Sequence, residues 1–487
     1  MTPAVIRWGG LAGSVATAAS AYLGGSGFER VPSVNPLTLL SGQRGVLLPI
    51  CWVVGTAVLI GAWWWGRHVV PSTRWALVTA GLWLLPVLPF LPLGSADVYS
   101  YACQGYVQHA GGDPYAMGVQ EFGCPWLDSV ATSWRDSPAP YGPLFLILAG
   151  WAVGLAGGSL AVVIAGLRVI ALAGLALTAV ALPVLARRAG REPSRAVWLV
   201  LACPLVLVHL VSGAHNDALM IGLIVSGLAL AATAAPSPTV AGRPALPAAA
   251  LPVAAGLLLG LAVAVKATAV VVLPFAVLAV APPGRRGSPV PLRDLWRPAL
   301  GIGAGALFAT AALSLASGRG FGWVAGLARS GDSVTWGSPS TAAGLSVDFV
   351  VRLLGGETDA VPVTRALGIA LLAVILVVLW WRARSGGALP GAGLALAATV
   401  LCAPVFHPWY ATWPLAVLAA TGTRLDGAER EDRWLIGLCA FAATLTLPAG
   451  YNWALYTRIP GALVVTAVLI ALAVVRVRRR RDRKVFA

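Results

Sequence analysis

Long apolar stretches recur along the whole chain, and they limit the folds that it can adopt. One of them, LAVVIAGLRVIALAGLALTAVALPVLA, covers residues 160–186. An α-helix needs about 20 apolar residues to cross a bilayer, and this stretch is longer than that. Only 11% of the 487 residues are charged, whereas soluble domains contain about 25%. The sequence therefore predicts an all-α polytopic membrane protein rather than an unusually apolar soluble enzyme.

The apolar segments predict about fourteen membrane crossings, and the basic residues between them predict the orientation. Most of the 34 Lys and Arg share one side if the N-terminus is inside the cell. Because basic loops are retained in the cytoplasm, both termini are predicted to be cytoplasmic. The net charge of +16 is therefore attributed to topology and not to nucleic-acid binding. The predicted spans are 5–24, 45–66, 75–93, 160–186, 196–212, 217–235, 250–265, 267–281, 299–317, 362–382, 389–406, 409–422, 433–449 and 460–476.

Three parts of this assignment have alternatives. Segment 141–158 resembles a further span, but counting it would place the basic loop 187–195 outside, so it is interpreted as an interfacial or re-entrant helix. Segments 250–265 and 267–281 are short and could form one broken helix. Residues 1–24 could be a signal peptide and are interpreted as a retained first span. The predicted divisions are N-terminal transmembrane helices (1–93), a first extracytoplasmic loop with interfacial helices (94–159), core helices (160–317), a second extracytoplasmic loop (318–361), C-terminal transmembrane helices (362–476) and a basic cytoplasmic tail (477–487).

The first outer loop begins with DVYSYACQGY, directly after a very apolar segment. If this stretch is helical, Asp97, Tyr101 and Gln104 lie on one face. Asp97 either caps the helix, where the dipole favours an acid, or accepts a proton from a substrate hydroxyl. The second interpretation makes Asp97 the catalytic candidate, with Tyr101 and Gln104 as substrate ligands. Cys103 and Cys124 share this loop, and they are predicted to form a disulfide, with two free thiols as the alternative.

Further candidates follow in the same outer loop and in a turn between two spans. Asp113 and Tyr115, in GGDPY, either bind substrate or only form a turn. Tyr141 lies in a rigid proline-rich segment, where its ring could stack on a sugar. The consecutive polar residues in SGAHNDALM are candidates for substrate binding, helix capping or metal binding, and the sequence lacks metal-ligand spacing such as HExxH, CxxC or DxD. These three residues are His215, Asn216 and Asp217.

Isolated cations near the outer side are candidates for binding an anion. Lys266 either extends to the interface or meets a buried anion such as a lipid phosphate. Arg329 and Arg458 are the other cations considered for this role. The motif FHPWYATWP adds aromatic and imidazole rings, which either contact the substrate or form an interfacial belt. Its candidate residues are His407, Trp409 and Tyr410.

Taken in order, DVYSYACQG, GDPY, PAPYGPL, GAHNDAL, AVKATAVVVLPF and HPWYATWPL resemble a known family. They are similar to the actinobacterial polyprenol-phosphomannose-dependent alpha-1,6-mannosyltransferases of lipomannan assembly, which belong to the GT-C superfamily. The similarity covers roughly residues 95–460 and depends on the ordered set of motifs, since no single motif is decisive. It implies a GT-C fold with interfacial helices in the first outer loop, and an active site on the extracytoplasmic face of the plasma membrane.

The resemblance also implies the reaction. The donor would be polyprenyl-phosphomannose and the acceptor a mannan or lipomannan, joined by an alpha-1,6 bond with inversion at the anomeric carbon. Asp97 would act as the base, while Lys266, Arg458 and Arg329 would bind the donor phosphate. No cofactor or metal is expected, and the partners beyond the substrates are membrane lipids. The alternatives are a GT-C enzyme that uses another polyprenyl-phosphate sugar, and a transporter or flippase for lipid-linked sugars.

Overall fold

The computed structural model describes residues 1–24, 46–234, 250–282, 288–326, 334–423, 428–448, 450 and 452–485. Within these ranges the protein is built from α-helices, and the strand-like pairing is limited to an isolated bridge between Thr446 and Asn452. The helices of eight or more residues are α1 (Pro3–Gly24), α2 (Leu47–Gly66), α3 (Thr73–Leu84), α4 (Asp97–His109), α5 (Pro143–Gly154), α6 (Leu160–Arg188), α7 (Pro193–Leu201), α8 (Asp217–Ala234), α9 (Ala250–Val265), α10 (Leu273–Val280), α11 (Trp296–Ala316), α12 (Pro339–Leu353), α13 (Val361–Ala383), α14 (Ala388–Cys402), α15 (Thr412–Thr421), α16 (Ala428–Leu445) and α17 (Arg458–Val485).

Six of the described helices are long and apolar enough to cross a membrane, namely α2, α6, α8, α11, α13 and the first part of α17. Helix α7 and the π-helix Val206–Ser212 pass the same test together, although the chain bends by 65° between them. Several shorter helices, including α5, α9 and α14, are also apolar. The protein is therefore a multi-pass membrane protein, and the number of crossings beyond these stays a prediction.

Two predicted spans are interrupted in the structure. The helix expected over 75–93 ends at Leu84 and is followed by a single 3-10 turn, Leu85–Val87. Three prolines follow within this apolar run, and each of them removes a backbone donor that a continuing helix needs. The span expected over 196–212 is broken after Leu201, at the bend that contains Pro204. Both predictions of a continuous helix were wrong, because prolines interrupt these apolar segments.

Close backbone contacts fix the packing of the central helices. Gly256 and Gly260 of α9 are four residues apart, and a β-carbon on either would lie within 2.4 Å of a carbonyl oxygen of α11. The oxygens belong to Ile302 and Ala306 respectively, so the two helices run parallel. Small residues at this spacing allow membrane helices to approach closely. As α9 and α11 are parallel, the chain must return across the layer between them, through the segment Ala267–Val280.

The two ends of the helical layer carry different loops. At one end, the loop after α6 meets the start of α16 through an ion pair between Arg191 and Glu431 at 2.9 Å. The loop before α11 meets the end of α13 through paired backbone and side-chain bonds between Val290 and Arg384. The loops after α6, before α11, after α13 and before α16 are all predicted to be cytoplasmic. The long loop between α3 and α6 contributes to the site described next.

Candidate active site

Helix α4 begins with Asp97 and is held against the bundle on both sides. The backbone nitrogen of Asp97 donates to the Ser95 hydroxyl at 3.1 Å. Further along the helix, Gly105 packs directly on Ala149 of α5, where a β-carbon would lie 2.7 Å from the backbone. The disulfide between Cys103 and Cys124, with Cα atoms 5.5 Å apart, ties α4 to the rest of the outer loop. The position of Asp97 is therefore determined by packing and by a covalent link.

A buried arginine fixes the chain that leads into α4. Arg168 lies in the apolar helix α6, and its guanidinium donates to the carbonyl oxygens of Leu88, Phe90 and Ser212 at 2.6, 2.8 and 2.9 Å. The Ser212 hydroxyl in turn accepts from the backbone nitrogen of Leu93 at 3.0 Å. One side chain thus joins the segment before α4 to the segment before α8. Arg168 gave no separate signal in the sequence, because it lies within an otherwise apolar run.

The centre of the site is a buried ion pair. The Asp217 carboxylate, at the start of α8, accepts from Lys266 Nζ at 2.9 Å and from the Trp413 indole at 2.6 Å. Lys266 lies at the break after α9, where its backbone is extended. Its ammonium also lies 4.7 Å from the Tyr410 ring and 5.0 Å from the Trp413 ring. The expectation of an isolated cation at Lys266 was therefore wrong, because Asp217 pairs with it.

A hydrogen bond connects α4 to this ion pair. The Tyr101 hydroxyl lies 3.0 Å from Nδ1 of His215, and the same nitrogen lies 3.8 Å from Oδ2 of Asp217. The Tyr101 ring meets the Tyr141 ring edge to face, with centroids 5.1 Å apart. Tyr101, Tyr141, His215 and Asp217, all predicted as site residues, are thus brought together.

Tyr141 owes its position to a backbone contact with the end of α9. The nitrogen of Gly142 donates to the carbonyl oxygen of Val265 at 3.0 Å. A β-carbon on Gly142 would lie 2.2 Å from the carbonyl oxygen of Ala264. Only glycine fits here, and the contact places Tyr141 close to Lys266.

The aromatic motif after α14 joins the same cluster. The rings of His407 and Trp409 are stacked at 4.5 Å, and Trp409 lies 4.0 Å from the ring of His215. Burial, followed by the charge of Lys266, lowers the pKa of His407 to about 4 and the pKa of His215 well below its ordinary value. Both imidazoles are therefore neutral at pH 7. The motif belongs to the site and not to an interfacial belt.

Asp97 lies at the partly exposed edge of this cluster. The pKa of its carboxyl is raised to about 6, chiefly by burial and to a smaller extent by the charge of Asp217. The Lys266 charge and hydrogen bonds from Ser95 and Trp134 act in the opposite direction. A carboxylate with a pKa near 6 is still largely ionised at neutral pH, and it accepts a proton more readily than an ordinary aspartate does.

Several buried polar atoms in the cluster have no hydrogen-bond partner in the described part of the chain. Gln104 and Asn216 are each 1% exposed, and both side-chain amide atoms of each are unpaired. Oδ2 of Asp217 and Nε2 of His215 are likewise buried and unpaired. Buried polar groups are normally paired, so such atoms are candidates for contact with a ligand.

The remaining predicted site residues lie elsewhere. Asp113 accepts from the backbone nitrogen of Tyr115 at 2.9 Å, which is the turn that the sequence left open as an alternative. The Tyr115 ring packs on Gly322, at 3.0 Å from the position of an added β-carbon. Arg458 is exposed at the start of α17, and Arg329 lies outside the described residues. The turn alternative is thus supported for Asp113, and a substrate contact of Tyr115 stays a prediction.

Three cluster residues besides Arg168 were missed. Trp413 lies four residues after Trp409, so helical spacing within the quoted motif would have suggested it. Trp134 contacts Asp97 from the outer loop, and His209 is fully buried beside Trp409, with ring centroids 5.0 Å apart. His209 lies inside an apolar span and gave no separate signal. In the described ranges, no three His, Cys, Asp or Glu residues are grouped as a metal site would require.

Comparison with known proteins gives matches over most of the chain. The family model described as alpha-(1->6)-mannopyranosyltransferase, N-terminal domain, matches residues 7–282, and the model described as MptB C-terminal domain matches residues 340–477. Alpha-(1->6)-mannopyranosyltransferase A of Mycobacterium tuberculosis is 34% identical over 91% of this chain and 85% of its own length. Alpha-(1->6)-mannopyranosyltransferases A and B of Corynebacterium glutamicum are 28% and 29% identical, each over 89% of this chain, and over 89% and 74% of their own lengths.

Among solved structures, the oligosaccharyltransferase of Archaeoglobus fulgidus overlaps with 79% of this chain and 50% of its own. The sequence identity is 16% and the TM-score is 0.34. A TM-score of 0.34 supports no conclusion about this chain.

Proposed function

The chain belongs to the alpha-(1->6)-mannopyranosyltransferase family, and from this premise we propose its donor, its side of the membrane and the roles of its site residues. The protein is a membrane mannosyltransferase that forms alpha-1,6 linkages. Its donor is polyprenyl-phosphomannose, and its acceptor is a mannan or lipomannan chain. The reaction takes place on the extracytoplasmic face of the plasma membrane, and the bundle adopts a GT-C architecture.

One observation carries the assignment of roles. Asp97, with a pKa of about 6, lies at a partly exposed edge, and the Lys266 ammonium is close enough to lower that pKa. A base and a cation in one site are what transfer from a sugar phosphate requires. The acceptor is a water-soluble glycan and the donor phosphate lies at headgroup depth, so both reach such an edge at the membrane surface.

The reaction is a single displacement at the anomeric carbon. The 6-hydroxyl oxygen of the acceptor mannose forms a bond to this carbon while the bond from carbon to the phosphate oxygen breaks. The hydroxyl proton passes to Asp97, and the electron pair leaves with the lipid phosphate, whose charge Lys266 stabilises. A beta-linked donor then gives an alpha-linked product by inversion. Because the leaving group is a lipid phosphate and no nucleotide has to be chelated, we propose that neither a metal nor a cofactor takes part.

The arrangement of the loops supports the proposed side of the membrane. The site is built from the long loop before α6 and from the turns before α8 and α15, whereas the basic loops pair with one another elsewhere. Basic loops are retained in the cytoplasm, which supports an extracytoplasmic site.

Replacement of Asp97 tests this proposal. General-base help contributes about 10²- to 10⁴-fold, so Asp97→Asn should lower transfer by at least about 100-fold. The assay uses membranes with radiolabelled polyprenyl-phosphomannose and a synthetic alpha-1,6-dimannoside. Asp113→Asn is the matched control, since it makes the same change in a turn of the same loop and should leave transfer nearly normal. Asparagine caps a helix almost as well as aspartate. Near-normal transfer by Asp97→Asn would therefore reduce Asp97 to a cap and move the base to Asp217 or His215.

A further inference from the structure

The Asp217 carboxylate is bonded asymmetrically. The Lys266 ammonium and the Trp413 indole both donate to the same carboxylate oxygen, Oδ1. Oδ2 is fully buried and has no hydrogen-bond partner in the described part of the chain, while His215 Nδ1 at 3.8 Å is engaged with Tyr101 instead. Two donors on one oxygen fix the orientation of the carboxylate. They leave the other oxygen available as an acceptor with a defined direction.

Each partner of the Tyr101–His215 hydrogen bond has an unpaired amide near it in the chain. Asn216 adjoins Asp217 in the chain, and Gln104 lies three residues after Tyr101 on the same face of α4. Each carboxamide offers two donor hydrogens and one acceptor oxygen, and all of these groups are buried without a partner among the described residues. Such an arrangement destabilises the fold unless a ligand pairs with it.

We propose that Gln104, Asn216 and Oδ2 of Asp217 form a subsite that hydrogen-bonds the ring hydroxyls of the donor's mannosyl group. Neighbouring sugar hydroxyls each donate and accept, which matches the mixture of amides and a carboxylate oxygen. The Trp409 ring lies beside these groups, with its centroid 4.0 Å from the centroid of the His215 ring. The inference rests on the proposed function, because the Lys266 that binds the donor phosphate is held by the same carboxylate. A ring attached to that phosphate is therefore the sugar nearest to Oδ2.

Lys266 and Tyr410 lie at the more exposed side of these groups. The Lys266 side chain is 12% exposed, and its Nζ lies 4.7 Å from the partly buried Tyr410 ring.

Variants of the unpaired amides separate a ligand role from a structural one. Asn216→Ala and Gln104→Met remove amides that have no partner in the described ranges, so neither variant loses a hydrogen bond seen in the protein, and the melting temperature should be unchanged or higher. Transfer should nevertheless fall by about tenfold to a hundredfold in kcat/KM. Ser346→Ala is the matched control, because its buried hydroxyl bonds to Ala342 and Thr466, both at 2.9 Å. That control should lower the melting temperature and leave transfer unchanged. A fall in the melting temperature of both amide variants would overturn the inference.

Deoxy donors identify the sugar that is bound. Full-length wild-type protein and the Asn216→Ala variant are compared on polyprenyl-phosphomannose and on its 2-deoxy, 3-deoxy and 4-deoxy forms. We expect one deoxy donor to lose about tenfold or more with the wild type, and to lose little further with the variant. If Asn216→Ala lowers kcat/KM by the same factor for the complete donor and for every deoxy donor, the inference is overturned. It is also overturned if the effect of the variant depends on the hydroxyls of the acceptor and not on those of the donor. Failure of the proposed function has a different result, namely that wild-type protein transfers no mannose from the complete donor.

Discussion

At the scale of single residues, the protonation of Asp97 predicts how transfer depends on pH. Burial raises the pKa of this carboxyl to about 6, and only the ionised form accepts the acceptor's proton. As pH falls through 6 the base is lost, so kcat/KM should be about tenfold lower at pH 5 than at pH 8. A pH profile measured on wild type and on Asp97→Asn checks this. The fall in kcat/KM near pH 6 should be absent from the residual activity of Asp97→Asn. A wild-type profile that is flat down to pH 5 would contradict the assignment of Asp97 as the base.

A second residue-scale prediction concerns Lys266. Lys266→Met should raise the KM for the donor by about tenfold or more, because a charge-assisted contact with phosphate contributes about 1.5–3 kcal/mol. The KM for the acceptor should change little. The single variant also leaves Asp217 buried without its cation, which destabilises the fold. The double variant Lys266→Met/Asp217→Asn removes both charges and should regain folding without regaining donor affinity. An increase confined to the acceptor KM would show that Lys266 does not bind the donor.

At the scale of secondary-structure elements, the contact between the outer loop and the end of α9 is the most sensitive joint. Gly142→Ala would place a methyl group 2.2 Å from the Ala264 carbonyl oxygen, so the loop that carries Tyr141 has to move. Overpacking of this kind costs about 1–3 kcal/mol. The variant should lower both the melting temperature and the transfer rate. Gly303→Ala is the control, since Gly303 lies in helix α11 and no atom of the described residues lies within 4 Å of an added β-carbon. Equal effects of the two variants would show that the joint is not specific.

At the scale of the whole molecule, the orientation in the membrane is open to a paired test. Ser133 lies in the loop before α6 and Ser385 follows α13, and both are exposed. A membrane-impermeant maleimide should label Ser133→Cys in intact cells and should label Ser385→Cys only after lysis. Wild-type protein, with its native cysteines, provides the blank. Labelling in the reverse pattern would invert the topology and place the site in the cytoplasm.

Features set by the bilayer were accessible from the sequence, and features set by contacts between distant residues were not. Long apolar helices such as α6 and α13 follow directly from the length needed to cross the membrane. The polar turns were recognised because ionisable groups at membrane depth are costly. The pairing of Asp217 with Lys266 joins residues 49 positions apart, and no local pattern encodes it. Trp413 was missed for a related reason, since its role depends on one indole nitrogen and not on the apolar ring that dominates its sequence context.

The buried Arg168 also bears on how the chain is assembled. Its guanidinium is satisfied by carbonyl oxygens before α4 and by Ser212, which is 44 residues further along. A charged group in the hydrocarbon layer without such partners is expensive. During synthesis, the carbonyl oxygens of Leu88 and Phe90 emerge before α6, whereas that of Ser212 emerges after it. The full set of partners for this charge is therefore complete only when the chain has been made as far as Ser212, which couples the segments that lead into Asp97 and Asp217 during assembly.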